Sequence, residues 1–298
     1  MKILNFGSLN IDNVYSVGHI VTPGETAASL KLEQFEGGKG LNQSVAISRA
    51  GCKVYHAGCI GSDGQSLKTL LEKSGVDLKY LKTVDEKTGH AIIQVEQSGE
   101  NCILLFAGAN HLVSTDFIDT VLNDFEKGDL LVLQNEISNL PYLVNKAYEK
   151  GMKIILNPSP YNEVIGQIDL NKLYCLILNE VESECISGVK QDGFNNWAAD
   201  NYPNLVFMLT LGKKGCRYIK GSTVFEQGIF KVDTVDTTGA GDTFTGYFVA
   251  GLANGYDVPD ILRVASAASA LAVSKKGAAP SIPTADKVKD FLKIFQIK

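Results

Sequence analysis

The residues best placed to do chemistry lie late in the chain, in Val235-Asp236-Thr237-Thr238-Gly239-Ala240-Gly241-Asp242-Thr243-Phe244. A turn with two glycines leads into an amphipathic helix. Unpaired backbone N–H groups then stand at the positive end of a helix dipole, an arrangement that binds anions. Asp242 opens that helix. It is either a cap or first-turn acid, or, with a phosphoryl group on the turn, the general base for a hydroxyl that attacks it. The Gly-x-Gly alternation is shared with dinucleotide-binding turns. Phe244, however, stands where their third glycine would be, and the turn comes long after the first strand, which argues against a nicotinamide site.

The Walker pattern G-x-x-x-x-G-K-[ST] does not occur. The nearest fragment, Gly37-Gly38-Lys39-Gly40, precedes Leu41-Asn42-Gln43-Ser44, which reads as a helix start. Its glycines let backbone approach a small ligand, with Lys39 and Asn42 as polar ends; the other reading is a plain turn with a solvated lysine.

These residues need elements to hold them. Short apolar runs with β-branched residues recur at Ile3–Phe6, Val54–Ile60, Leu130–Leu133, Ile154–Leu156, Leu176–Leu178 and Val206–Leu211. Helical periodicity fills the gaps between most of them; Leu140, Leu143, Val144, Ala147 and Tyr148 mark one such helix before Lys150-Gly151 ends it. The pattern is βαβ, which predicts a mainly parallel sheet. Four strands end on polar residues, at Gln134-Asn135-Glu136, Asn157-Pro158, Asn179-Glu180 and Thr210-Leu211-Gly212. In an open parallel sheet such ends face a common crevice. Segments from about 11 to 35 and from about 89 to 106 alternate like strands with little helical pattern, and read as a small sheet forming a lid. The end of the chain reads as helical: Asp242–Asn254, about Ile261–Ser274, then Val288, Phe291, Leu292 and Phe295 on one face.

Composition narrows the partners. With 28 Lys+Arg against 33 Asp+Glu the formal charge is −5, so the overall field repels nucleic acid. No apolar run approaches a bilayer span and the N-terminus turns polar at once, which predicts a soluble, cytoplasmic protein with no membrane partner. The six cysteines form no C-x-x-C pair and read as buried reduced thiols; Cys52, His56 and Cys59 sit on a strand-like run, which argues against zinc.

Seven segments occur in a telling order: Gly7-Ser8-Leu9-Asn10-Ile11-Asp12, Pro23-Gly24-Glu25-Thr26, Gly37-Gly38-Lys39-Gly40-Leu41-Asn42, Asn157-Pro158, Asn179-Glu180-Val181-Glu182, Asp236-Thr237-Thr238-Gly239-Ala240-Gly241-Asp242 and Lys276-Gly277-Ala278-Ala279-Pro280-Ser281. From residue 7 to 281 the chain resembles the ribokinase family of carbohydrate kinases. The resemblance implies an α/β fold, a three-layer α/β/α sandwich with a mainly parallel central sheet and a β-sheet lid. It also implies one kinase domain over 1–298 and a homodimer formed through the lid.

It further implies transfer of the γ-phosphoryl of ATP to a sugar, D-ribose by the order of the pieces. Asp242 matches the catalytic base, and the N–H groups of Gly239, Ala240 and Gly241 match the anion hole. Asn10, Ile11, Asp12, Gly38, Lys39, Gly40, Leu41, Asn42 and Glu136 match the sugar side. Asn10 can hydrogen-bond a 2-hydroxyl, which disfavours a deoxy sugar. Asn179, Thr210, Leu211, Gly212, Lys213, Lys214, Gly215, Gly241, Asp242 and Ser266 match the ATP side. Glu182 matches an acid that organises waters on Mg²⁺, or is a solvated first-turn acid. Asp236, Thr238, Ala272, Lys275, Gly277 and Ser281 match the positions that hold an activating K⁺, mostly through backbone oxygens. Leu41 and Ser159 stand where alanine is more usual, and Tyr15 and His111 lie in or near the lid. A kinase for another small sugar or a nucleoside is the nearest rival. A non-catalytic sugar-binding protein would lack Asp242 or the turn glycines, and both are present.

Overall fold

The computed structural model describes residues 1–296. In chain order the elements are β1 Ile3–Phe6, β2 Asn10–Val17, β3 Lys31–Gly37, α1 Lys39–Arg49, β4 Tyr55–Ile60, α2 Gln65–Lys73, β5 Asp77–Thr83, β6 Gly89–Glu96, β7 Asn101–Phe106, α3 Thr115–Leu122, β8 Leu130–Gln134 and α4 Leu140–Glu149. There follow β9 Lys153–Asn157, β10 Cys175–Asn179, α5 Glu180–Ser187, α6 Gln191–Asn201, β11 Val206–Thr210, β12 Cys216–Lys220, β13 Thr223–Gln227, α7 Ala240–Ala253, α8 Val258–Val273 and α9 Ala285–Gln296. The side chain of Phe295, expected on the apolar face of α9, and residues 297–298 lie outside what is described.

Nine strands form one sheet in the order β13-β12-β11-β10-β9-β8-β1-β4-β5. From β11 to β5 every pairing is parallel, and β12 and β13 run antiparallel at one edge. The parallel strands are apolar on both faces because helices cover both. Alternate residues part accordingly: Leu131 and Leu133 of β8 pack with Leu140, Leu143 and Val144 of α4, whereas Leu130 and Val132 join the side of α1, α7 and α8. This is the expected three-layer α/β/α sandwich. Tyr148, counted with the apolar face of α4, is exposed.

The lid is a second sheet, β3-β2-β6-β7. Its strands begin and end close to the expected limits, but residues 18–30 carry no strand, and β2 pairs with β6 in parallel. Asn10, the first residue of β2, lies opposite both Gly37 and Gly89, so the root of the lid sits where α1 begins.

Three elements escaped the sequence reading: β5, β12 and β13. The β12–β13 pair turns on Gly221-Ser222, with Gly221 at φ 54°, a two-residue hairpin signal that was there to be found. The cysteines also need correction. Cys59, Cys175 and Cys216 are buried, but Cys102 on β7 and Cys185 are exposed; all six are unpaired. Both exposed residues lie on surfaces that the apolar neighbours in the sequence made look internal.

Candidate active site

The sugar-side residues are brought together at the root of the lid. Asn10 and Asp12 are two apart on β2 and so share a face. Side chains at 37 and 89 would overlap the carboxylate of Asp12 and the Oδ1 of Asn10, which explains both glycines. Gly38, at φ 94°, lets the chain turn tightly against the backbone of Ser8 and Asn10 into α1. Gly40 abuts the Gly7–Ser8 backbone, and Leu41 is fully buried. Burial, with the Glu136 carboxylate nearby, pushes Asp12 up to about 6. Burial also raises Glu136, against the pull of Lys39; its Oε2 accepts from the Ser8 hydroxyl and, at 3.2 Å, from the Lys39 N–H. Ile11 is half-buried and packs toward the α1 side of the sheet.

Sequence reasoning missed Asn110. This buried residue donates from Nδ2 to Asn10 Oδ1 at 2.8 Å and clamps the Leu9 backbone through its Oδ1 and Nδ2. With Oδ1 occupied, Asn10 has its NH₂ left to offer a ligand.

Asp242 lies in the first turn of α7 and caps nothing. Instead its Oδ2 accepts from Asn42 Nδ2 at 3.0 Å and its Oδ1 from Gln43 Nε2 at 2.9 Å, both from α1. Asn42 Oδ1 is buried without a partner among the described residues, so it is an acceptor awaiting a hydroxyl. Lys39 stands among carboxylates. Burial alone would lower its pKa, but Asp242, Glu136 and Glu182 outweigh it and the net shift is upward, so the ammonium stays charged.

The turn before α7 is built for anions. Gly239, at φ 73°, packs its Cα against Ala278. The Ala240 N–H is already spent on the Thr237 carbonyl at 3.2 Å. That narrows the three expected donors to Gly239 and Gly241, whose N–H groups have no partner among the described residues. A Cβ on Gly241 would meet open space, the room a phosphoryl group needs.

Behind this turn Asp236 ties together two of the other expected cation positions, Thr238 and Gly277. Its Oδ1 accepts from the N–H and hydroxyl of Thr238, at 2.9 and 2.6 Å, and its Oδ2 from Gly277 N–H at 2.9 Å; these hydrogen bonds overcome burial and lower its pKa. Ala272 offers its carbonyl to Lys275 N–H at 3.1 Å, and Ser281 is buried with its hydroxyl on the Ala278 carbonyl at 2.8 Å. The Lys275 side chain is exposed. The Asp236–Gly277 contact joins two loops that offer a carboxylate and backbone carbonyls, hard oxygen donors of the kind a monovalent cation takes.

Glu182 is buried rather than solvated. The Asn179–Glu182 motif is a capping box on α5: Asn179 Oδ1 accepts from Glu182 N–H at 2.8 Å, and Glu182 Oε2 accepts from Asn179 N–H at 3.0 Å. Ser159, one of the departures from the family pattern, donates to Glu182 Oε1. Both oxygens already accept protein donors. The acid therefore fits a role beyond the water shell of Mg²⁺ rather than direct ligation.

Lys39, Asn157, Ser159, Asn179, Glu182, Thr210, Gly239, Gly241 and Asp242 line one cleft of about 260 Å³, where three of the four polar strand ends converge as expected. It opens beside a larger cavity of about 720 Å³, reached by Asn179, Thr210, Gly212, Lys213, Gly215, Gly241 and Ser266. Leu211 is buried, and Lys214 pairs at 3.3 Å with Glu180, which lines this cavity. The remaining wall includes Ile229, Phe230, Val232, Phe244 and Val273, of which the 228–235 segment has no periodicity to announce it.

Comparisons with known proteins agree with this geometry. Residues 1–285 match the model of the pfkB family carbohydrate kinases. A ribokinase of Haemophilus influenzae is 36% identical over 297 residues, covering 96% of each chain. The crystal structure of a Cryptococcus neoformans ribokinase with ADP superposes with a TM-score of 0.85 at 35% identity, covering 97% of this chain and 99% of that one. That of an Arabidopsis thaliana ribokinase with ribose and ATP gives 0.88 at 29%, covering 98% of each. With a family model matched across nearly its whole length and a cleft that joins an acid, an anion turn and a nucleotide-sized cavity, the chain belongs to the pfkB family of carbohydrate kinases.

Proposed function

We propose that this ATP-dependent sugar kinase phosphorylates D-ribose on its 5-hydroxyl. The observation that carries the reading is the position of Asp242. Its carboxylate is held by two amides from the sugar-side helix α1, on the wall of a cleft that it shares with Lys39 and the anion turn and that adjoins the large cavity. The ribokinases named above, one of them bound to ribose and ATP, support the choice of sugar.

Asn10 and Asp12 orient the ring hydroxyls, and Asn42 Oδ1 accepts from a hydroxyl nearer the reacting end. Asp242 takes the proton of the 5-hydroxyl as its oxygen attacks the γ-phosphorus. Gly239 and Gly241 N–H groups and the Lys39 ammonium stabilise charge on the transferred group. ADP remains in the large cavity. Glu182 would hold waters of a bound Mg²⁺, which would supply neutralising charge at the nucleotide phosphates. K⁺ would brace the Asp236–Thr238 and 272–281 loops against the turn, an ordering role with no part in the chemistry.

We further place the enzyme in the cytoplasm as a homodimer through the lid. Ile103, Leu104, Leu105 and Phe106 of β7 are all exposed, a contiguous apolar strand of the kind that marks an interaction surface. Among the described residues no helix is long and apolar enough to cross a membrane.

Asp242→Asn tests the base. The variant should bind ribose and ATP with near-normal affinity while kcat falls by about a thousandfold or more. Turnover within tenfold of the unaltered enzyme removes the mechanism.

A further inference from the structure

Behind Asp242 lies a buried chain of side-chain amides that the reaction does not touch. Gln43, Gln134 and Asn5 are all fully buried, on α1, at the end of β8 and on β1. Asn5 Nδ2 donates to the Gly40 carbonyl at 2.7 Å and to Ser44 Oγ at 2.8 Å. Gln134 Nε2 donates to Asn5 Oδ1 at 2.9 Å and to Gln43 Oε1 at 2.7 Å. Gln43 Nε2 then donates to Asp242 Oδ1 at 2.9 Å. At the far end Ser44 Oγ, which accepts from Asn5, lies 2.8 Å from Nδ1 of His56, whose imidazole burial keeps neutral.

Amide groups can turn over, and each reversal exchanges a donor for an acceptor. Here the direction is forced from one end. A backbone carbonyl only accepts, so Asn5 must present NH₂ to Gly40 and its oxygen to Gln134. Gln134 must then give NH₂ to both Asn5 and Gln43. That leaves Gln43 only its NH₂ for Asp242, and the oxygen it meets must be an acceptor. Reversing any amide would bring two like dipoles together inside a dry core, at the cost of unmade hydrogen bonds.

We infer that Gln43 is a positioning residue for the catalytic base, its polarity fixed through Gln134 and Asn5 by the Gly40 carbonyl. It donates to one oxygen of Asp242 and pins the carboxylate plane, so that the remaining lone pairs face the cleft. The inference rests on Asp242 being the base. Asn42 also donates to Asp242, but its Oδ1 has no partner among the described residues, so no chain of protein groups behind it sets its direction as the Gly40 carbonyl sets that of Gln43.

The test is the kcat–pH profile and the KM values of Gln43→Met, which keeps bulk and removes the donor, beside Gln134→Met, which leaves Asp242 untouched but frees Gln43 to reverse. Loss of a donor to the charged carboxylate favours its protonated form, so the acid limb moves to higher pH. The charged groups around the carboxylate, Lys39, Glu136 and Glu182, are unchanged in both variants. Gln43→Met should lose about 10- to 100-fold in kcat, in line with one hydrogen bond to a charged group, with KM for ribose and ATP within about twofold and the acid limb raised. Gln134→Met should move both readouts the same way by less. In the unaltered enzyme the side-chain amide resonance of Gln43 should titrate with the midpoint of that limb, a measurement that needs no variant to fold. An unmoved acid limb in Gln43→Met, a loss carried by KM alone, or a Gln43 resonance indifferent to pH overturns the inference. If Asp242→Asn is inactive while Gln43→Met is normal, only this inference fails. If Asp242→Asn stays active, the assignment of the base fails first.

Discussion

The two halves of the cleft are built on opposite plans. On the sugar side the polar groups interlock: Asp242 with two amides, Glu136 with Ser8 and Lys39, Asn10 with Asn110. On the nucleotide side the wall is largely apolar, with Ile229, Val232, Phe244 and Val273 around a cavity of about 720 Å³. The contrast follows the chemistry. A base and the hydroxyl it serves must be held to a few tenths of an ångström, which interlocking hydrogen bonds achieve. A purine ring needs contact area, and ADP has to leave.

Two glycines sharpen that contrast most strongly. In Gly40→Ala the new Cβ would overlap the Gly7–Ser8 backbone beneath α1. Thermal or denaturant unfolding should show a loss of about 3 kcal/mol, and turnover should collapse because α1 carries both amides that hold Asp242. Gly241→Ala places its Cβ in open space. Its melting temperature should match the unaltered enzyme while kcat drops about 100-fold, the scale of a disturbed anion hole. Equal destabilisation by both substitutions would erase the distinction between a packed half and an open one.

Acid should separate the halves next. Asp12 titrates at about 6, raised by burial and then by Glu136. Below that pH its carboxylate gains a proton, and one of the two oxygens that accept from sugar hydroxyls becomes a donor. KM for ribose should rise about tenfold from pH 7 to pH 5, a range over which the ionised fraction falls from about nine-tenths to one-tenth, while KM for ATP stays level. Parallel rises in both would place the titration elsewhere. The smallest effect is expected from Val232→Asp, a charge on the apolar wall: KM for ATP should increase several-fold, with kcat and KM for ribose unchanged.

Much of this was legible in the sequence, and the gaps have physical reasons. Strands β1, β4, β8, β9, β10 and β11 announced themselves because a parallel strand covered on both faces is a short, continuous apolar run. The turn at 236–242 and the glycines at 37–40 were readable because close backbone approach demands glycine, whatever surrounds it. The edge strand β13 is mostly exposed, and β12 beside it mixes Arg217 and Lys220 with its buried residues, so neither has that apolar signature. Gln43, Gln134 and Asn5 were invisible as a unit: each is one polar residue on a different element, and only the sheet order brings α1, β8 and β1 together. The Asn179–Glu182 pair carried two readings, and the capping box shows that a motif can serve the fold and the site with the same atoms.

The most direct test of the account is ADP release from MgATP with D-ribose, 2-deoxyribose, fructose and a nucleoside, each with and without K⁺. Rapid turnover on ribose, far slower turnover on the others and stimulation by K⁺ are the predicted result. Preference for the nucleoside or for fructose, or ADP release that does not depend on any acceptor, would contradict it.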